Sequence, residues 1–396
     1  MPDISLRGSV LPSSPIRKLA PLANAAKSEG VKVYHLNIGQ PDLPTPRKAL
    51  DALKAIDRTT LEYSPSEGYP WLREKMVGYY AKYGIQVTPD EIIVTCGGSE
   101  ALLFTFLSCL NPGDEIIMVE PGYANYISFA QTAGVTVKPV TSRIEDGFRL
   151  PTVEDFEKEI TPRTKAILLC NPNNPTGYIY PLEELEALKS LVVKYNLFLI
   201  ADEVYREFSY DGETAYSALK LDIPEHVIVV DSVSKRYSEC GIRIGMLITH
   251  NKAVHDTVLK YCQARLSPPL LGQIVAAASI EGTEAYAKAC FDEYKARRDF
   301  FIRELNRIPG VYSPMPGGAF YTVASLPVDD AEDFCRWLLT DFRLDGETVM
   351  MAPAAGFYEN PELGRNQVRL AYVLKIEDLQ KALNILRSAL EAYNKR

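Results

Sequence analysis

Residues 226–245 read HVIVVDSVSKRYSECGIRIG, an apolar run followed by a loop rich in serine and glycine. The run is dominated by β-branched residues, which is typical of a strand buried on both faces of a parallel sheet. Lys235 follows it, between small hydroxyl residues and Arg243, an arginine with a glycine two residues away on either side. A solvated lysine is protonated and chemically idle, whereas a lysine held beside anion-binding groups indicates covalent or phosphate chemistry.

Five more apolar runs precede this one, and helical patterns separate several of them. The runs are residues 91–97 (EIIVTCG), 114–120 (DEIIMVE), 135–140 (VTVKPV), 165–171 (KAILLCN) and 197–203 (LFLIADE). Residues 99–110 and 182–196 have the pattern of helices. Buried strands that alternate with helices predict an α/β domain built on a mostly parallel sheet.

The pattern changes in the last third of the chain. Residues 285–308 have the pattern of one long charged helix, and a turn rich in glycine and proline follows it. The predicted divisions are an N-terminal arm with part of the small domain over residues 1–45, a large domain over residues 46–283 and a small α+β domain over residues 284–396.

Composition narrows the classes of partner. The chain has 396 residues, of which 46% are hydrophobic, and a formal net charge of -8. An acidic surface opposes binding to nucleic acids and to anionic membranes, because both present phosphates that require a basic face. No segment approaches the ~20 consecutive apolar residues that span a bilayer. We therefore expect neither nucleic acid nor membrane among the partners.

Three features of the sequence indicate a cytoplasmic protein without a bound metal: its cysteines, its histidines and its first residues. The seven cysteines form no C-x-x-C pair and are odd in number, so reduced thiols are expected. The four histidines lack metal-ligand spacing. The N-terminal residues lack an apolar segment followed by a cleavage site. We expect a cytoplasmic protein without a bound metal.

Polar groups follow four of the predicted strands at the point where each strand ends. These groups are Gly98 and Ser99, Asn174, Asp202 and Tyr205, and Ser232 to Lys235. In open α/β sheets the carboxyl ends of the strands meet at one rim, and ligands bind in the crevice there. These groups are therefore expected to share one site.

The first of these groups has the features of a phosphate cup. Residues 95–104, TCGGSEALLF, place two glycines and a serine at the entry to a helix. Free N–H groups and the positive end of the helix dipole attract anions there, and Ser232, Ser234 and Arg243 could complete the cup. The alternative is a turn with an N-terminal cap and no ligand. Neither G-x-x-x-x-G-K-[ST] nor G-x-G-x-x-G is present, which makes ATP and NAD poor candidates.

Asp202 and Lys235 together favour one kind of cofactor. Asp202 ends an apolar strand, where an unpaired carboxylate is costly, so a buried cation should accompany it. The protonated ring nitrogen of pyridoxal phosphate would be such a cation. The cofactor's aldehyde could form a Schiff base with Lys235, and Tyr205 could donate to the phenolic oxygen of the ring. The alternative is a helix cap beside a core tyrosine.

Four further residues lie in motifs with a possible ligand role. Asn174 lies in a turn constrained by proline, NPNNPTG, and Tyr123 in EPGYANY could cover a flat ring or simply pack. Arg369 lies within an apolar run, NQVRLAYVL, and needs an anionic partner. That partner is either a substrate carboxylate or an internal ion pair. Gly39, in NIGQPDLPTP, would let the backbone approach the same carboxylate.

In this order, the motifs resemble those of the class I/II aminotransferases, which are pyridoxal-phosphate enzymes of fold type I. The resemblance covers nearly the whole chain, through LNIGQPDLPTP, YSPSEGYPWLREKM, GGSEALLF, EPGYANY, NPNNPTG, ADEVY, SVSKRYSECGIRIG and VRLAY. The pattern S-x-S-K, five residues and then G-x-R-x-G is its most specific part. The resemblance implies a large domain with a mostly parallel seven-stranded sheet between helices, and a smaller α+β domain.

The resemblance also implies roles around the cofactor. Lys235 would form the Schiff base, and Asp202 would bind the ring nitrogen. Tyr205 and Asn174 would bind the phenolic oxygen, with Tyr123 stacked on the ring. The residues implied to hold the phosphate are Gly98, Ser99, Ser232, Ser234 and Arg243.

Further implied roles concern the substrate and a second subunit. Arg369, with Gly39 and Asn174, would bind the carboxylate of the amino acid. Tyr63 resembles the tyrosine that reaches the phosphate of the other subunit, which implies a homodimer with its sites at the interface. Aspartate-specific members often use a second arginine from the partner, and Arg265 lies in roughly that region, although its spacing departs from the familiar pattern.

The implied reaction is a ping-pong transfer of an amino group between an L-amino acid and a 2-oxo acid. We favour aspartate with 2-oxoglutarate, and Arg17 or Lys54 could also touch the substrate. Alanine or an aromatic amino acid is an alternative substrate. Elimination from a sulfur amino acid by a C–S β-lyase and a non-catalytic binding module are the alternative functions.

Overall fold

The computed structural model describes residues 2–212 and 214–396. The strands are β1 (Lys32–His35), β2 (Ile92–Thr95), β3 (Glu115–Glu120), β4 (Thr136–Thr141), β5 (Thr164–Cys170), β6 (Phe198–Asp202), β7 (Val227–Ser232), β8 (Gly245–Ile248), β9 (Tyr321–Ser325), β10 (Glu347–Met350), β11 (Ala352–Pro353) and β12 (Gln367–Ala371). The helices are α1 (Leu6–Val10), α2 (Ala20–Ser28), α3 (Arg47–Lys54), α4 (Pro70–Ala81), α5 (Gly98–Cys109), α6 (Asn125–Ala133), α7 (Val153–Glu159), α8 (Leu182–Tyr195), α9 (Val233–Arg236), α10 (Lys252–Arg265), α11 (Leu270–Ile280), α12 (Glu284–Leu305), α13 (Ala331–Thr340) and α14 (Ile376–Tyr393).

The main sheet has seven strands in the order β2-β8-β7-β6-β5-β3-β4. β8 pairs antiparallel with both of its neighbours, and the other pairs are parallel. The six predicted apolar runs form β2 to β7, and the predicted α/β fold with a mostly parallel seven-stranded sheet is confirmed. β8 was not predicted, because its four residues begin at Gly245, within the glycine-containing segment that was interpreted as a ligand-binding loop.

Helices cover both faces of this sheet, which explains why its strands are apolar along their length. Successive side chains of a strand point to opposite faces. Ile228 and Val230 of β7 pack in a core shared with α5, α6 and α10. Val227 and Val229 pack in a second core shared with α4, α8 and α11. A strand without a solvated face has no reason to alternate apolar and polar residues.

The C-terminal part of the chain carries a smaller sheet. Its antiparallel strands follow the order β11-β12-β9, and β1 from the N-terminal segment pairs in parallel with β10. The long charged helix predicted over residues 285–308 is α12. The division of the chain at residues 45 and 283 stays a prediction.

Two general features of the described residues bear on function. None of their helices has both the length and the apolar composition that a bilayer crossing requires. Nor do residues 2–212 and 214–396 contain a group of three or more histidine, cysteine, aspartate or glutamate side chains arranged to hold a metal ion.

Candidate active site

A cavity of about 520 Å³ lies at the carboxyl ends of β2, β5, β6 and β7. The strand ends meet at one rim, so groups from distant parts of the sequence come together there. Of the predicted site residues, those that line it are Gly39, Gly98, Ser99, Tyr123, Asn174, Asp202, Tyr205, Ser232, Ser234, Lys235, Arg243 and Arg369. Tyr63 and Arg265 do not line it.

Lys235 lies on α9, the single helical turn that follows β7. Ser232 caps this turn, because its hydroxyl oxygen accepts a hydrogen bond of 3.1 Å from the N–H of Ser234. The Lys235 Nζ donates to the carbonyl oxygen of Gly39 at 3.0 Å and lies 3.9 Å from the Sγ of Cys240. No carboxylate within the described residues forms an ion pair with this amine, so it remains available to a ligand in the cavity.

Asp202, at the end of β6, is a buried carboxylate without a cation. Its side chain accepts hydrogen bonds from the Tyr126 hydroxyl at 2.7 Å and from the N–H of Val204 at 3.3 Å. No lysine, arginine or histidine of the described part of the chain forms an ion pair with it. Burial raises the pKa of Asp202 to about 6. A bound cation would therefore be stabilised strongly at this position.

The start of α5 and Arg243 form one end of the cavity. Gly98 and Ser99 begin the helix, where backbone N–H groups have no intrahelical acceptor. Gly97 has a φ of 79°, and a Cβ atom there would lie 2.3 Å from the Nη2 of Arg243. The guanidinium of Arg243 donates to the carbonyl oxygens of Cys240 at 3.0 Å and Cys96 at 3.3 Å. This combination of N–H groups and a fixed cation suits a phosphate.

Two buried serine hydroxyls complete this anion site. The hydroxyl of Ser232 lies 2.8 Å from that of Ser234 and 2.9 Å from the carbonyl oxygen of Ile244. Ser232 thus holds the α9 turn against the strand-end loop. The Ser234 hydroxyl lines the cavity beside it and can turn toward a bound anion.

Tyr205 and Asn174 face each other across the middle of the cavity. The amide nitrogen of Asn174 is 3.5 Å from the Tyr205 hydroxyl, at the limit of hydrogen-bond reach. The Tyr205 hydroxyl also lies 3.0 Å from that of Tyr321. Burial raises the pKa of Tyr205 well above its ordinary value, so the phenol stays protonated and can donate to a ligand oxygen.

Arg369, on β12, is a buried cation without a carboxylate. Its side chain is 1% exposed, and Nη1 donates to the amide oxygen of Asn174 at 3.2 Å. Nη2 donates to the carbonyl oxygen of Asn37, and burial lowers the pKa of Arg369. No aspartate or glutamate of the described residues pairs with it. The arrangement favours the binding of an anion from the cavity.

Gly39 shapes the cavity next to this arginine. A Cβ atom at residue 39 would lie 1.9 Å from the hydroxyl oxygen of Tyr321. The same hydroxyl lies 3.3 Å from the Gly39 carbonyl oxygen. A side chain at this position would therefore displace the tyrosine and fill the space beside Arg369.

Tyr63 and Arg265 occupy other parts of the molecule. Tyr63 is 75% exposed, so its side chain is accessible to a second subunit, and the predicted contact stays a prediction. Arg265 donates to the carbonyl oxygen of Ser66 at 3.1 Å and lies 3.4 Å from a carboxylate oxygen of Glu100. Arg17 lines the cavity, and Lys54 does not.

Sequence reasoning overlooked three cavity residues that touch predicted ones. Tyr126 binds Asp202, Tyr321 binds Tyr205, and Cys240 lies beside the amine of Lys235. Tyr126 and Cys240 lie within motifs already singled out, so their position in those motifs was an available signal. Tyr321 follows the turn at residues 314–320 and carries no comparable signal.

Taken together, these groups fit pyridoxal phosphate. Asp202 lacks a cation that the ring nitrogen would supply, and Lys235 is free to react with an aldehyde. The anion site at the start of α5 would take the phosphate. The fold and the cavity therefore define a fold type I pyridoxal-phosphate enzyme.

Comparison with known proteins gives the family. The family model described as aminotransferase class I and II matches residues 31–386. The chain belongs to this family of pyridoxal-phosphate-dependent aminotransferases, which confirms the predicted enzyme class and cofactor.

Three relatives illustrate the range of the similarity. An aspartate/prephenate aminotransferase of Thermus thermophilus is 34% identical over 363 residues, which cover 90% of this chain and 91% of the relative. The structure of aspartate aminotransferase from Thermus thermophilus with maleate has a TM-score of 0.88 at 31% identity, covering 98% of this chain and 100% of that chain. The structure of alanine aminotransferase from Pyrococcus furiosus has a TM-score of 0.90 at 32% identity, with coverage of 98% and 100%.

Proposed function

We propose that this aminotransferase moves the amino group between aspartate and 2-oxoglutarate. The observation that carries the proposal is the charge of the cavity. Four cations, Arg17, Lys235, Arg243 and Arg369, line it together with one carboxylate, Asp202. An excess of positive charge in a partly enclosed site favours substrates with more than one negative charge.

Assigning the charges one by one leaves two cations for the substrate. Asp202 would pair with the ring nitrogen of the cofactor, Arg243 with its phosphate and Lys235 with its aldehyde. Arg17 and Arg369 then remain. Two arginines match the two carboxylates of aspartate or glutamate, whereas alanine or an aromatic amino acid would leave one cation without an anion.

We assign the remaining cofactor contacts to the following residues. Bound pyridoxal phosphate supplies an aldehyde that captures the amine of the substrate and a ring that accepts an electron pair. Asn174 and Tyr205 would donate to the phenolic oxygen of this ring, with Tyr123 against its face. The residues proposed to hold the phosphate, besides Arg243, are Gly98, Ser99, Ser232 and Ser234.

Arg369 would orient the substrate, and Lys235 would act as the base that removes a proton from it. Arg369 would bind the α-carboxylate, with Asn174 and the backbone at Gly39 beside it. Once free of the aldehyde, the Nζ of Lys235 would take the proton from the Cα atom of the substrate. The hydrogen bond from Nζ to the Gly39 carbonyl oxygen, 3.0 Å long, would hold the amine on that side of the cavity.

Relatives support this assignment to different degrees. Several similar proteins, at 28% to 31% identity, are named aspartate aminotransferases, and a relative at 34% identity is named an aspartate/prephenate aminotransferase. The Thermus thermophilus enzyme was solved with maleate, a dicarboxylate. The similar alanine aminotransferase of Pyrococcus furiosus favours alanine as a second candidate substrate.

A screen of half-reactions tests the proposal. The purified holoenzyme is mixed with single amino acids, and the absorbance of the cofactor is followed as its aldehyde form disappears. We expect aspartate and glutamate to react faster than alanine and phenylalanine, by roughly tenfold or more. If alanine reacted rapidly and neither aspartate nor glutamate reacted, the assignment would be overturned.

A second assay separates amino transfer from elimination. The enzyme is incubated with a cysteine conjugate, with and without 2-oxoglutarate, and pyruvate and ammonia are measured. We expect little release of either product in the absence of the 2-oxo acid. Release that does not depend on 2-oxoglutarate would favour a C–S β-lyase.

We also propose that the enzyme is a cytoplasmic homodimer. Leu61, Tyr63 and Leu266 are 62%, 75% and 52% exposed. The hydroxyl of Ser66 donates to the carbonyl oxygen of Leu266 at 2.8 Å, which holds the two segments side by side. Exposed apolar groups gathered in one region mark an interaction surface. Sedimentation should give twice the chain mass of 44.2 kDa, and a stable monomer would contradict the proposal.

A further inference from the structure

The segment that carries Arg17 is held firmly on both sides of this residue. Pro15 packs against Gly356, where a Cβ atom would lie 2.7 Å from the proline ring. Lys18 forms an ion pair with Glu332, and the side chain of Leu19 is buried in the core. Residue 17 is therefore presented to the cavity by a fixed backbone rather than by a loose arm.

This segment is joined directly to the site of Arg369. The side-chain amide of Asn37 donates to the carbonyl oxygen of Ile16 at 2.9 Å. The carbonyl oxygen of Asn37 accepts a hydrogen bond from the guanidinium of Arg369. Two hydrogen bonds thus connect the residue before Arg17 to the arginine proposed to bind the α-carboxylate. The relative position of the two arginines is set by this link.

Unlike its neighbours, Arg17 has no partner for its side chain. Its guanidinium makes no hydrogen bond or ion pair with any described residue, although it lines the cavity. Burial raises the pKa of Tyr123 to about 12, and the positive charges of Arg369 and Arg17 both oppose that rise. Both cations therefore lie within electrostatic range of the Tyr123 phenol.

We propose that Arg17 binds the side-chain carboxylate of the substrate and so determines preference for dicarboxylic amino acids. This inference rests on the proposed aspartate function and names the residue that would read the second carboxylate. The exposed guanidinium of Arg17 could donate two charge-assisted hydrogen bonds to a carboxylate, because the two planar groups match in geometry. Ile16 and Ile38 line the cavity nearby and would contact the carbon chain between the two carboxylates.

Arg265, the arginine first suggested by the resemblance, suits this role less well. Its Nη2 donates to the carbonyl oxygen of Ser66 at 3.1 Å, and Nη1 lies 3.4 Å from Glu100. Leaving these partners would separate the half-buried ion pair with Glu100 and break the hydrogen bond to Ser66, and both losses cost free energy. Arg17 would lose no protein partner when it binds an anion.

Binding of maleate to the holoenzyme tests the inference without amino transfer. Maleate has two carboxylates and no amine, so it can occupy the site but cannot react. The Kd is measured by calorimetry for the wild type, Arg17→Ala, Arg17→Lys and a control, Arg387→Ala, which removes another exposed arginine from α14. We expect Arg17→Ala to weaken maleate binding roughly 10- to 100-fold, Arg17→Lys to weaken it less, and Arg387→Ala to leave it unchanged.

The half-reaction with single amino acids separates the two ways to fail. In Arg17→Ala, kcat/KM for aspartate should fall roughly 10- to 100-fold, while that for alanine stays within about twofold of the wild type. A wild type that prefers aspartate, with the same preference in Arg17→Ala, would overturn the role of Arg17 and leave the aspartate function intact. A wild type without any preference for dicarboxylates would overturn the proposed function, and the inference with it.

Discussion

Two neighbouring strands of the main sheet end in buried aspartates that face opposite sides of the sheet. Asp231, on β7, accepts two hydrogen bonds from the guanidinium of Arg236, at 2.8 and 2.9 Å, and one from Tyr80 at 2.6 Å. Asp202, on β6, has hydrogen bonds but no ion pair within the described residues. Burial raises the pKa of Asp202 to about 6. At Asp231 burial acts in the same direction, but the attraction of Arg236 and Arg206 outweighs it, so the pKa of Asp231 lies below its ordinary value.

The buried arginines show the same contrast. Arg236 pairs with Asp231 and with Glu207 at 3.1 Å, and Arg206 pairs with Glu203 at 3.1 Å. Arg369 pairs with no described carboxylate. On one side of the sheet the chain neutralises its own buried charges, and that side contributes to stability. On the cavity side it leaves them for ligands, and that side contributes to function.

Replacement of Lys235 should have the largest effect on activity. In Lys235→Ala, kcat should fall roughly 10²- to 10⁴-fold, because a positioned base contributes a factor of this size. Stability should change little, since the amine forms one hydrogen bond to a backbone carbonyl. The check is steady-state kinetics alongside urea denaturation. Activity above about one percent of the wild type would show that another group takes the proton.

Replacement of Arg236, the next residue, should act on stability instead. Arg236→Met leaves Asp231 buried without its main cation, which costs roughly 3–5 kcal/mol of unfolding free energy. Urea denaturation measures the loss, and Arg387→Met, at an exposed position of α14, is the control. If Arg236→Met were as stable as the control, the ion pair would not be a stabilising element.

Arg369→Met provides the reverse case. We expect kcat/KM for amino acids to fall roughly 10²- to 10³-fold, because a buried charge on the substrate loses its partner. We expect a smaller loss of unfolding free energy than in Arg236→Met, since Arg369 leaves no carboxylate of the described residues unpaired, only the oxygens of Asn174 and Asn37. Kinetics and denaturation of the same preparation check both halves. A destabilisation equal to that of Arg236→Met would remove the distinction between the two arginines.

The pH dependence of the cofactor-free protein tests Asp202 and should give the smallest effect. Burial raises the pKa of this carboxyl to about 6 in the folded chain, from an ordinary value of 3.8. The folded state therefore holds this proton more tightly, so the contribution of Asp202 to stability is greatest below pH about 4 and falls as the pH rises to about 6. At about 1.4 kcal/mol per pKa unit the cost is about 3 kcal/mol.

Asp202→Asn should abolish this fall, and pyridoxal phosphate should reduce it by supplying a cation. Thermal unfolding of both forms between pH 4 and 7.5 measures the difference. An unchanged pH profile in Asp202→Asn would show that the cost lies with another group. Glu239, whose pKa burial raises to about 8, lowers stability over an overlapping range that extends to about pH 8, so only the part of the fall that Asp202→Asn removes belongs to Asp202.

The outcome for particular residues shows how far sequence patterns reach. The apolar strands β2, β3, β5, β6 and β7 were predicted because they are buried on both faces, which leaves a nearly continuous signal in the sequence, whereas β4, at the edge of the sheet, is mostly half-buried. β8 was missed because it begins at Gly245, where the motif around Arg243 indicated a loop rather than a strand. Asp202 and Lys235 were predicted to meet because each follows a strand of one parallel sheet, and strand ends share a rim.

Contacts between distant segments could not be predicted in this way. The hydroxyl of Tyr321 lies 3.0 Å from that of Tyr205, although Tyr321 begins β9 of the small sheet and Tyr205 lies in the turn after β6, 116 positions away in sequence. The ion pair of Arg265 with Glu100 could not be predicted either, because the distance between them depends on how α10 packs against α5. Such contacts depend on side-chain packing between elements, for which the sequence carries no periodic signal.

By itself, the sequence determined the α/β sheet, the family and the chemistry at the strand ends, because local periodicity and ordered motifs encode them. Tertiary structure alone decided which buried charges are neutralised within the chain and which are left for ligands. Asp231 and Asp202 follow similar apolar runs, yet one faces Arg236 and the other faces the cavity. The electrostatic energy of a buried charge depends on distances of a few ångströms, and folding sets those distances.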